Sequence, residues 1–61
     1  MTESKRIIEK SKSFDFTDCL NDAENNCIES ESDYEKEETI FSFKDESGLI
    51  FSAVDYSIKE I

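Results

Sequence analysis

Glu38–Lys44 reads ETIFSFK, Asp45–Gly48 reads DESG, and Leu49–Ile58 reads LIFSAVDYSI. Two runs rich in β-branched and aromatic residues flank the only glycine of the chain, which is the signature of a β-hairpin. A type I turn over Asp45-Glu46-Ser47, with Gly48 in the left-handed position, sets Lys44 against Gly48 across a G1 bulge. Phe43 then pairs with Leu49, Ser42 with Ile50, Phe41 with Phe51, Ile40 with Ser52 and Thr39 with Ala53. In this register Thr39, Phe41, Phe43, Leu49, Phe51 and Ala53 share one face, a continuous apolar surface for a helix to cover.

That helix lies upstream. Phe16, Leu20, Ala23 and Cys27 recur at helical spacing over Phe16–Ile28, and Cys19 and Ile28 widen the stripe. Asp15 or Thr17 caps the start, and Asp18 in the first turn complements the helix dipole. The expected fold class is α+β: a small single domain, residues 1–61, with one amphipathic helix packed on a C-terminal antiparallel β-hairpin. The arm at residues 1–12 is open between a flexible segment, a third strand and a short helix capped by Thr2 with Ile7 and Ile8 on one side. Residues 29–37, mostly acidic or Ser, are expected to connect the helix to the hairpin as a loop or a short helical turn.

Beyond Ala53 the alternation continues, so the second strand is expected to run on through Val54, Tyr56 and Ile58. Ile40, Ile50, Val54, Tyr56 and Ile58 then form a second apolar face opposite the phenylalanines. A face of that kind needs cover. Either the N-terminal arm docks across it or two copies pair through it as a homodimer.

Sixteen acidic against seven basic residues leave a net charge of −9 on 61 residues. The cations are unevenly placed: residues 1–16 hold four of them against three acids, and residues 17–61 hold three against thirteen. Such a balance argues against direct binding of nucleic acid or an anionic membrane, since neutralising phosphates takes clustered Lys and Arg. It favours a protein partner with a basic surface. No secretory leader, lipidation box or long apolar span is read in the chain, and a cytoplasmic location is expected.

Catalytic chemistry finds no foothold. Histidine is absent, so neither a Ser-His nor a Cys-His pairing exists. The single glycine sits in the hairpin, which leaves no phosphate-cradling loop. The acidic run from Glu29 to Glu38 lacks the alternating oxygen ligands and glycine of a calcium loop. Cys19 and Cys27 on one helix stand ~12 Å apart along its axis, too far for a disulfide, and are read as reduced thiols. No cofactor, no metal and no enzymatic activity are expected.

Residues 17–38 carry nine acids and one lysine. This block suggests a small inhibitor whose carboxylates stand in for phosphates in the basic groove of a nucleic-acid-processing enzyme, a DNA mimic of phage or mobile-element counter-defence type. An antitoxin-like, immunity-like or regulatory protein acting through the apolar hairpin face is the alternative, as is a solvated domain with no inhibitory role. Asp18, Asp22, Glu29, Glu31 and Asp33 are the candidate acidic contacts. Ile50 and Tyr56 are the candidate apolar ones.

Overall fold

Two helices open the chain and an antiparallel meander closes it. In order these are α1 (Glu3–Lys10), α2 (Phe16–Asn26), β1 (Glu29–Asp33), β2 (Glu38–Ser42), β3 (Gly48–Ser52) and β4 (Ser57–Glu60). The computed structural model describes all of residues 1–61, and its four strands lie in the order β1-β2-β3-β4. Both helices pack on the same face of the sheet, which makes the α+β architecture. No helix is long and apolar enough to cross a membrane.

α2 forms where its apolar stripe requires. Asp15 caps it, its carboxylate accepting the Asp18 amide at 2.9 Å. Cys19 and Ala23 are fully buried with Phe41, Phe43, Leu49 and Phe51, while Phe16, Leu20 and Cys27 pack at the margin. Phe51 takes the Phe16 ring edge-on at 5.5 Å and the Phe41 ring at 5.2 Å, a favoured aromatic geometry. The N-terminal arm resolves into α1. Thr2 caps it by accepting the Lys5 amide at 3.2 Å, and Ile7 joins the core with no exposure at all.

Three expectations need correction. The first is the hairpin register. Phe41 pairs with Leu49, Ile40 with Ile50 and Thr39 with Phe51, an offset of two residues from the expected ladder. The reversal comes earlier in the chain: the Glu46 amide donates to the Phe43 carbonyl at 3.1 Å, and Phe43 donates to Ser47 at 2.9 Å. Glu46, at φ 70°, takes the left-handed position assigned to Gly48. Because side chains alternate with a period of two, this shift leaves every residue on its expected face. Gly48 has an ordinary φ and lies in a strand. A Cβ there would stand 2.8 Å from Cδ1 of Ile61 and 3.0 Å from the Phe41 carbonyl oxygen, so glycine serves close approach.

The second correction concerns residues 29–37. Glu29–Asp33 is strand β1, paired along its whole length with β2 from Glu29–Ser42 to Asp33–Glu38, and Tyr34–Glu37 is the turn. Ser and Glu contribute little strand preference of their own, and β1 buries almost nothing. Its ladder to β2 outweighs weak local propensity.

The third concerns the far end. β3 stops at Ser52, Ala53–Tyr56 turns with Tyr56 at φ 55°, and β4 runs back along β3. Ile58 therefore pairs with Phe51 and packs at the edge of the core. Val54 and Tyr56 are exposed in the turn, and the Tyr56 ring stands edge-on to Phe16 at 5.4 Å. The expected five-residue apolar face thus shrinks to Ile40 and Ile50, both half-buried. The arm does not cover it, since α1 sits on the phenylalanine side. The face through which two copies were to pair is not formed as expected.

Candidate partner-binding faces

The helical layer and the open sheet face handle their acids in opposite ways. On the helical layer, Arg6 and Lys10 lie one turn apart on α1 and face Asp22 of α2. Arg6 grips the carboxylate with both guanidinium nitrogens, Nη1 to Oδ2 at 2.9 Å and Nη2 to Oδ1 at 2.6 Å. Lys10 Nζ adds 2.9 Å to Oδ2, and Asn26 Nδ2 donates to Oδ1 at 2.8 Å. Glu3 completes the cluster with 2.8 Å to Arg6 Nη2.

These bonds, Arg6 first, outweigh the cost of burial and hold the Asp22 carboxyl well below the usual carboxylate range. The Asp22 side chain is only 9% exposed. Two carboxylates and two cations leave the cluster without net charge. Asp22 is thus engaged between the helices and does not project as the sequence suggested. Asp18, one turn earlier on α2, is exposed.

On β1 the alternation of strand side chains puts Glu29, Glu31 and Asp33 on one face and Ser30 and Ser32 on the other. Ser30 and Ser32 stand opposite Phe41 and Thr39, so they share the helical side. The three acids point away from it. Their spacing along the strand is ~6.7 Å per pair of residues. Glu38 of β2, directly opposite Asp33, adds a fourth carboxylate. All four ion pairs of the molecule lie among residues 3–22, so no cation answers this column. Asp33 has a second role: its Oδ1 accepts the Glu35 amide at 3.1 Å and the Lys36 amide at 3.3 Å, fastening the turn.

Across the middle of the same face runs the row Glu31, Ile40, Ile50, Lys59, one residue from each strand. The structure therefore brings Glu29, Glu31, Asp33 and Ile50 together. It leaves Asp18 and Asp22 on the helical layer and sends Tyr56 to the β3–β4 turn against Phe16. Ile40 sits beside Ile50 as the alternation led one to expect, whereas Glu38 and Lys59 were missed as members of this face. Glu38 and Ile40 are two apart in a run already read as strand, so their shared face was available to the alternation. Lys59 was hidden by the unrecognised turn at Ala53–Tyr56.

Chemically, the face offers an array of carboxylates around a small apolar centre. No group of three or more His, Cys, Asp and Glu side chains converges on a metal-sized point. Carboxylates spaced in this way are set for charges spread over a surface and not for one point charge. No protein-family model, curated protein or solved structure matches the chain.

Proposed function

We propose that this chain is a small inhibitor that occupies a basic groove of a nucleic-acid-processing enzyme, presenting Glu29, Glu31, Asp33 and Glu38 where the enzyme expects phosphates. The observation that carries the reading is the carboxylate column on the open sheet face, unanswered by any ion pair. Its repeat is on the scale of successive phosphates in an extended nucleic-acid strand. The net charge of −9 steers the encounter, and affinity falls as salt rises. Action is by occupancy, without catalysis, as in counter-defence inhibitors of phage and mobile elements. Two free thiols, one of them fully enclosed, suit a reducing cytoplasm.

A second reading rests on Ile40 and Ile50. These half-buried side chains, rimmed by Glu31 and Lys59, form a small apolar centre of the kind that anchors a protein interface. An antitoxin-like or regulatory protein would use it.

Capture of the partner from host extract separates the two. Under the mimicry reading, a nuclease or polymerase is held at low salt, elutes at high salt and is displaced by duplex DNA. Each exposed ion pair is worth about 0.2–1 kcal/mol, so the loss emerges when Glu29→Gln, Glu31→Gln, Asp33→Asn and Glu38→Gln are combined. Asp18→Asn, on the helical layer, should change little. Retention of the partner by the fourfold variant, with loss on Ile50→Ser alone, overturns mimicry in favour of the apolar centre.

A further inference from the structure

β1 is the outermost strand of the sheet, and four of its five residues are exposed. One edge of it carries the ladder to β2. Along the other edge the backbone N–H and C=O groups point outward with no strand beside them. The helices leave β1 largely bare: four of its five residues are exposed, and α1 packs chiefly against β4, α2 and β3. A bare strand edge is a template for a further strand, and recognition by strand addition uses it.

What such an edge accepts is decided by the side chains opposite the newcomer. Cross-strand neighbours on one face stand about 4.5–5.5 Å apart at Cβ, where opposite charges attract and like charges repel. A second copy pairing β1 to β1 would set Glu29, Glu31 and Asp33 against the same three acids. The edge refuses its own kind. β4, the other edge strand, offers only Lys59 as a cation.

We propose that the outer edge of β1 takes an extended segment of the partner with Lys or Arg at alternate positions, adding it as a fifth strand. This deepens the mimicry reading and rests on it, because it names the element of the basic partner that docks. The cations of the segment face Glu29, Glu31 and Asp33. Its intervening residues stand beside Ser30 and Ser32, whose small hydroxyls leave room and pair well with threonine. Main-chain bonds supply a component that salt does not screen, and the ion pairs supply register.

The test is a titration of the isotopically labelled protein with a short peptide of alternating Lys and Thr. A control peptide has the same sequence with every backbone nitrogen methylated, so it keeps the charge and cannot join a ladder. Strand addition predicts resonance shifts and slowed amide exchange in Glu29–Asp33, with at least about a tenfold loss of affinity for the methylated peptide. Glu31→Gln should weaken the alternating peptide several-fold and leave its residual binding at high salt in place. Equal binding of the two peptides, protection elsewhere in the chain, or no binding of the alternating peptide overturns strand addition. Charge mimicry is judged separately, by the competition between DNA and the captured partner.

Discussion

Glu37, Glu46 and Tyr56 each adopt a positive φ, and each closes a hairpin turn. A side chain in the left-handed region costs roughly 1–2 kcal/mol, and glycine is spared that cost. Neighbouring aspartates help hold the turns: Asp45 Oδ1 accepts the Ser47 amide at 3.1 Å, and Asp55 Oδ1 accepts the Ser57 amide at 3.1 Å. Glu46 is exposed and makes no side-chain bond, so Glu46→Gly should raise stability by about 0.5–1 kcal/mol after the entropy lost by glycine is counted. Thermal melting reads this as an increase of about 2–8 °C in a chain of this size. The same residues show where sequence reading fails. Alternation identifies Phe41, Phe43, Leu49 and Phe51 as one face, yet it cannot see a shift of two, which preserves parity. Glycine looked like the natural left-handed residue, but an anchored turn tolerates glutamate there, and Gly48 answers instead to the backbone of Phe41 and the side chain of Ile61.

Between elements, the strongest polar link is the clamp of α1 on α2. Asp22→Asn keeps the shape and removes the charge that Arg6 and Lys10 grip, which should cost about 1–3 kcal/mol at neutral pH. The sign of the pH dependence follows from the lowered carboxyl. Its stabilisation is complete above the unfolded value, near ~4, and is lost as pH falls through the lower folded value. Acid also relieves repulsion among the other carboxylates, which works in the opposite direction. Urea melts of wild type and variant across pH therefore isolate the clamp: their gap should be widest at neutrality and should narrow progressively as pH falls below about 4. A gap unchanged in strong acid would mean that Asp22 acts by shape alone. The clamp was out of reach of the sequence because its cations sit on α1, an element left open between helix and strand. β1 was equally hidden. It buries no apolar side chain, and its only periodic trace is the placing of acids at Glu29, Glu31 and Asp33. α2, by contrast, was legible through its stripe and cap, because burial and capping are both written locally.

The molecule as a whole is divided in its electrostatics: its ion pairs are gathered on the helices, and the acids of the open sheet face stand without one. Of the candidate site, the β1 acids and Ile50 were legible as residues but not as one surface, since their union depends on the strand pairing. At 61 residues the total stability should be about 3–9 kcal/mol. Phe41, buried at the centre with Phe51 edge-on to it, contributes a large share, and Phe41→Ala should remove about 3–5 kcal/mol. The chain carries its own clock for measuring that loss. Cys19 is wholly enclosed, with its thiol pushed above the ordinary range by burial, whereas Cys27 sits half-buried at the end of α2. An alkylating reagent reaches Cys19 only while the core is open, so its rate of labelling reports the open population. Phe41→Ala should quicken Cys19 by between about a hundredfold and a few thousandfold. Cys27 starts from partial access and should quicken less, so the ratio of the two thiols tells opening of the core from fraying of a helix end.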